Sequence, residues 1–260
     1  FGTPITGIRY FRAVVGAGTC TPVFSTVTSV DIPSTTYSIF DTWSNGTPDS
    51  TKRVIIRGNY VVTSDISACS IEIQSGGTMV VGSNAPLAIN NITVTVENGI
   101  TILSLANPNA VVFNNNTSLI QNSTSNTINS GSVRYIRNST PIIQNDYTYW
   151  SSPVDDQIIK IFSPNTSNSR FFTFNSAPGA YAWAVVPSVT SHLMQAAKGY
   201  IIRAPNTMDA TVPAAWPGEF FGRPRNGTYT MGVYDNGMVG IVDQNRNLLG
   251  NPYPSAIDAD

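Results

Sequence analysis

Short apolar runs recur along this chain, and none is long. Between residues 53 and 120 they fall at Arg53-Val-Ile-Ile56, Tyr60-Val-Val-Thr63, Ala68-Cys-Ser-Ile-Glu-Ile73, Met79-Val-Val81, Leu87 to Ile89, Ile92 to Val96, Ile100 to Leu105, Val111 to Phe113 and Leu119-Ile120. Gly, Asn and Ser separate them at intervals of about ten residues. β-Branched residues dominate, and no helical period or capping pattern interrupts the series. The pattern predicts strands throughout. Its spacing suits a parallel β-solenoid, in which each coil lays its short strands on the coil below. Asn114-Asn-Asn116 supplies residues that tolerate left-handed turns at solenoid corners. An ordinary antiparallel sandwich built from the same strands is the alternative.

The pattern differs on either side. Ile8 to Val15 and Val23 to Val30 read as two strands around a Gly16-Ala-Gly18 turn. Two strands cannot bury a face alone, so they must lean on upstream strands or on the next domain. After residue 140 the chain becomes more aromatic and is punctuated by proline. Asp146-Tyr-Thr-Tyr-Trp-Ser-Ser-Pro-Val154 opens this half. Tyr147 and Tyr149 share one face of a strand, and Pro153 ends it. Further strands are expected at Phe171–Phe174, Ala182–Val186, Gly199–Arg203, Phe220-Phe221, Thr228–Val233 and Met238–Val242, with Asp235-Asn-Gly237 as a hairpin turn. The expected organisation is all-β in three parts. Residues 1–31 end an Ig-like sandwich, 32–140 form a solenoid-like run, and 141–260 form a jelly-roll-like β-sandwich, incomplete at its C-terminus.

Composition narrows the partners. Charged residues are 11% of the chain and the net charge is −1, against roughly 25% charged in ordinary soluble domains. With no Lys/Arg block, neither nucleic acid nor an anionic membrane is an expected partner. No apolar run reaches eighteen residues, so no spanning helix is expected. The chain opens without Met and stops at Asp258-Ala-Asp260, which reads as a piece of a longer protein.

Four stretches carry a resemblance. "WSNGTPDSTKRVIIRGNYVVTSDISACSIEI", "DYTYWSSPV", "AAKGYIIRAP" and "LLGNPYPSAIDAD" follow one another between residues 43 and 260. Together they resemble a modular region of large flavobacterial cell-surface proteins exported by the type IX secretion system. "GTPITGIRYFRAVVGAGTCTPVFSTVTSV" resembles the last strands of the Ig-like repeats of such adhesins. The resemblance implies an extracellular, cell-surface location and export by the type IX machinery, although the chain carries no sorting domain. It also implies adhesion of the kind used in surface attachment or gliding motility. Asp49-Ser50-Thr51 matches the pattern such proteins use for O-glycosylation, which makes Ser50 the candidate.

Local chemistry is sparse. The single histidine, His192, has no nucleophile beside it in sequence and reads as a surface or capping residue. Asp155-Asp156 reads as a solvated turn, and Glu72, Glu97 and Glu219 are isolated, so no glycosidase pair is expected. Asp235, Asp243, Asp258 and Asp260 cluster near the C-terminus without EF-hand or nonapeptide spacing; they read by default as turn residues, with one structural calcium as the alternative. Cys20 and Cys69 are candidates for a disulfide, each with the alternative of a small buried thiol. Trp150, Trp183, Trp216 and Tyr181 could build a sugar-stacking surface beside the many Asn. Alternation places Tyr147, Tyr149 and Trp183 in the core, whereas Trp216, in a turn, is the ring expected to contact glycan. The expected function is a non-enzymatic structural or adhesin segment, a stalk or display element. Its partners would be surface polysaccharide or other cell-surface proteins, and a carbohydrate-binding module is the alternative.

Overall fold

The computed structural model describes residues 9–15, 22–30, 32–85, 90–104, 107–125, 127–177, 180–235 and 246–257. The expected strands at 87–89 and 238–242, the turn at 236–237, Cys20, Asp243, Asp258 and Asp260 lie outside them.

β1 (Arg9–Phe11), β2 (Val14–Val15), β3 (Val23–Phe24) and β4 (Thr28–Val30) form an antiparallel hairpin, with β1 on β4 and β2 on β3. Everything after it begins as a parallel solenoid. β5 (Ser34–Tyr37) lays the base. β6 (Arg53–Ile56), β7 (Asn59–Val62) and β8 (Ile66–Ala68) make one coil. β9 (Ser70–Ile73), β10 (Thr78–Val81) and β11 (Ile92–Val96) make the next. β12 (Ile100–Ile102), β13 (Val111–Phe113) and β14 (Thr117–Gln121) make a third, and β15 (Val133–Asn138) starts a fourth. Like strands stack in register, giving three parallel faces: β5-β6-β9-β12, β7-β10-β13-β15 and β8-β11-β14.

The interior follows from the period-two alternation. Val54, Ile71 and Ile100 stack as one ladder, and Ile56, Ile73 and Ile102 as another, all nearly inaccessible. The run read as one strand over Ala68–Ile73 is split at Cys69, where the chain turns a corner between two faces. Corners need left-handed or tightly apposed backbone. Asn116 (φ 59°) turns between β13 and β14, and Asn91 (φ 43°) precedes β11, as the Asn-rich corners predict. Side-chain amides then bind one coil to the next. Asn114 Nδ2 donates to Gly82 O (2.9 Å), and Asn98 Nδ2 donates to Cys69 O (3.0 Å).

Both ends of the stack are closed by aromatic rings. At the base Tyr37, Trp43 and Tyr60 meet with centroids 4.7 to 5.0 Å apart. At the top the parallel pattern stops. There the C-terminal half supplies β16 (Tyr147–Trp150), a one-turn helix α1 (Ile159–Phe162), β17 (Phe171–Asn175), β18 (Ala182–Val185), β19 (Tyr200–Arg203) and β20 (Pro217–Gly222). β20 joins the solenoid face antiparallel to β15. The other four strands form one antiparallel sheet in the order β16-β19-β17-β18. Its inner face carries Trp150, Phe171, Tyr200 and Ile202, all buried. Trp150 lies against Phe162 of α1 (5.0 Å) and Phe220 of β20 (6.2 Å).

The fold is all-β with sandwich-like layering. Among the described residues, the jelly-roll-like sandwich expected over 141–260 takes the form of a single four-stranded sheet. Its opposing layer is supplied by β20 on the solenoid. One continuous hydrophobic core therefore runs from Val54 to Phe220. No helix among the described residues is long and apolar enough to cross a membrane.

Candidate functional site

The solvent side of the four-stranded sheet is where side chains gather with no covering layer among the described residues. On β16 the tyrosines alternate with Thr148 and Trp150, so once the indole is buried both phenols must face outward. Register carries that face across the sheet: Tyr149 lies opposite Ile201, Ile201 opposite Phe172, Phe172 opposite Val185, and Phe174 opposite Trp183. Tyr149 is 62% exposed, Trp183 48% and Tyr147 37%. These three rings were expected in the core. Alternation shows which residues share a face but not which face is covered, and the polar partners Thr148 and Thr173 sit on the covered side.

The rings form a continuous surface. Phe174 meets Trp183 edge-on at 5.1 Å and Tyr181 at 4.7 Å; Tyr147 lies 6.0 Å from Phe172, and Tyr149 6.4 Å from Trp183. Trp183 divides two shallow recesses. One, of about 260 Å³, lies among Tyr147, Phe172 and Ile201. The other, of about 330 Å³, is bordered by Tyr149, Phe174 and Tyr181, with Arg246 and Asn247 at its edge. The Asn247 side chain is fixed by paired hydrogen bonds with the backbone of Tyr234, both 3.0 Å. Hydrophobic rings beside an anchored amide and an arginine side chain can stack on the apolar face of a sugar and hydrogen-bond to its hydroxyls.

Trp216 takes a different place from the one expected. It is half-buried, with its ring edge-on to Trp150 (5.5 Å) and Phe162 (5.2 Å), and its backbone N–H donates to Ser139 Oγ (2.9 Å). Its remaining side lines a groove of about 420 Å³ between β20 and the segment after α1. Across that groove Arg134 on β15 forks onto Glu219 on β20, Nη2 to Oε1 2.6 Å and Nε to Oε2 3.1 Å.

The remaining candidates lie away from both surfaces. Asp155 is a clasp rather than a solvated turn residue: Oδ2 accepts from Arg223 Nη2 (2.7 Å), and Oδ1 from the buried Arg225 Nε (3.0 Å). Arg225 also donates to the carbonyls of Ser152 (2.6 Å) and Met194 (2.7 Å). Glu72 is paired with Arg53 and Gln74. Burial pushes its carboxyl up, but these hydrogen bonds outweigh it and hold the pKa below the usual range. His192 lies beside Tyr200, Nε2 to the hydroxyl 3.3 Å. Burial and then the Lys198 charge depress its pKa. Ser50 is exposed in a turn whose Asp49 accepts from Thr51 and pairs with Lys52. Among the described residues Cys69 has no disulfide partner; it is half-buried, and its Sγ accepts from Asn98 Nδ2 (3.3 Å), while Cys20, the expected partner, lies outside them. No group of three or more His, Cys, Asp or Glu among the described residues is placed to hold a metal ion.

Sequence reasoning named Trp183 and Tyr181 as sugar-stacking candidates, and the structure brings them together with Tyr149. It passed over Phe172, Phe174 and Ile201. Their signal was the alternation in Phe171-Phe-Thr-Phe174, which puts two rings on the face opposite buried Phe171.

Residues 32–260 match the family described as Domain of unknown function (DUF8693), starting just after the hairpin ends. No curated protein matches the chain, and no solved structure does.

Proposed function

We propose, for a chain that belongs through residues 32–260 to the DUF8693 family of unknown function, a non-enzymatic role in attachment. In this reading it is a display segment of a secreted cell-surface protein, and its aromatic sheet face adheres to polysaccharide. The observation that carries the reading is the row of rings on β16, β17 and β18, with Tyr149 and Trp183 about half exposed or more. A contiguous exposed apolar patch of this kind marks an interaction surface. A sheet that exposes a row of rings can offer π-faces to the C–H faces of sugars along a chain.

The solenoid favours display over a spacer role. Its tallest face has five strands, whose spacings of about 4.8 Å make it only about 19 Å from first to last. The body is therefore a mount with a continuous core that fixes the sheet in place. The resemblance noted above supports an extracellular setting and export by the type IX machinery. The exposure of Ser50 is compatible with its glycosylation there.

The test is a pull-down and glycan-array screen of the whole chain against insoluble and soluble polysaccharides, repeated with Tyr149→Ala and Trp183→Ala. Saturable binding that falls at least about tenfold in either variant is expected, since an exposed ring at the centre of an interface carries this much. Binding that both variants retain in full would remove the sheet face from the function. Release of new reducing ends during incubation would overturn the non-enzymatic assignment.

A further inference from the structure

We propose that the groove beside β20 is a second saccharide site, which takes a single sugar residue or a chain end rather than a chain laid flat. It shares no residue with the aromatic sheet face and differs from it in shape and chemistry. Its volume of about 420 Å³ lies within the roughly 300–1,000 Å³ usual for small-molecule sites. Four prolines stand in its wall, and their fixed φ makes that wall rigid before anything binds.

One side is apolar. Trp216 is held edge-on by Trp150 and Phe162, so its orientation is set by the core, and Phe221 and Ile161 extend the wall at 45% and 65% exposure. The other side is an ordered polar set. Arg134 and Glu219 are diagonal neighbours across the β15–β20 ladder, where Arg134 pairs with Phe221 and Ile136 with Glu219. Their fork uses two of the roughly four lone-pair directions of the carboxylate. Asn109 accepts from Arg134 Nη1 through Oδ1 (3.2 Å), which leaves its amide N–H₂ as a donor beside the Glu219 acceptor.

A fixed acceptor next to a fixed donor, opposite an aromatic wall, matches a pyranose. Vicinal hydroxyls each donate and accept, and the ring's C–H face is apolar. The carboxylate disfavours phosphates and other anions, and among the described residues Glu219 is the one carboxylate lining the groove, where a glycosidase would need two.

The experiment is a titration of the whole chain with free glucose, galactose, mannose, N-acetylglucosamine and cellobiose, followed by calorimetry and by ligand-observed saturation-transfer NMR. At least one sugar should saturate. Glu219→Gln, which keeps the shape and removes the charge, should weaken it about tenfold, and Asn109→Ala should weaken it by a similar factor. Trp183→Ala should leave it unchanged while weakening polysaccharide capture at least about tenfold, which separates this site from the sheet face. No saturable sugar, equal affinity in Glu219→Gln, or a signal lost with Trp183→Ala instead would each overturn the proposal.

Discussion

The indole of Trp150 stands at 89° to that of Trp216, with centroids 5.5 Å apart. One ring ends the first strand of the aromatic sheet, and the other precedes the strand that closes the solenoid. Phe162 and Phe220 stack beside them at 4.4 Å. This cluster joins two architectures into one core, so the first prediction concerns cooperativity. Trp150→Ala should lower the unfolding free energy by about 3–5 kcal/mol. Trp216→Ala, with its ring half-buried, should cost roughly half as much. Urea denaturation followed by far-UV dichroism measures both. Two separate transitions in the wild type would show that the sheet and the solenoid do not share a core.

Asp155 gives a second test, because one carboxylate serves two guanidinium groups of unequal burial. Asp155→Ala leaves Arg225, only 5% exposed in its side chain, without its counter-charge, at a cost of about 3–5 kcal/mol. Arg223 is 41% exposed, and Arg223→Ala should cost no more than about 1 kcal/mol. Equal losses in the two variants would contradict the assignment of Arg225 as the buried partner.

His192 sets a pH dependence whose sign is fixed. Its folded pKa is lowered by burial and then by Lys198. As the pH falls, the unfolded chain takes up the proton first. The site's contribution is therefore whole above the ordinary histidine value of about 6.5 and is lost as the pH drops through the folded value. Thermal melts between about pH 7.5 and about pH 5 should show a decline that His192→Gln reduces. An unchanged slope in the variant would assign the decline to other groups.

Close stacking of the corners makes a fourth test. A Cβ at Gly77 would lie 2.4 Å from the carbonyl oxygen of Ile56, and one at Gly58 would lie 2.3 Å from that of Ser38. These glycines stand just before register partners on β7 and β10, so each corner passes directly over the one below. Gly77→Ala should cost about 1–3 kcal/mol. Gly232→Ala, with nothing within 4 Å, should stay within about 0.5 kcal/mol. Denaturant midpoints of the two variants decide the matter.

The solenoid was legible because its information is local. Arg53–Ile56, Ile92–Val96 and Val111–Phe113 are strands in the structure with the bounds their β-branched runs suggest. β5 was not, since Ser34-Thr-Thr-Tyr37 carries a single ring and gains its place from pairing with β6. β20 was placed only in part, because its ladder partner β15 lies some eighty residues earlier. The site was harder still. Tyr149 and Trp183 have the pattern of core residues, and only the burial of Trp150 on the opposite face decides that they point outward. Arg134 and Glu219 are ordinary charges in sequence, brought together by the same long-range ladder.

The stacking order has a mechanical consequence. Successive coils climb from β5 to β15, and the ladder hydrogen bonds run along that climb rather than across it. A pull applied between residue 32 and the four-stranded sheet would load those bonds end-on, one rung after another, instead of shearing many at once. Such a body would yield in small steps under tension. An anchor of this kind would absorb drag by paying out length while its aromatic face stays engaged.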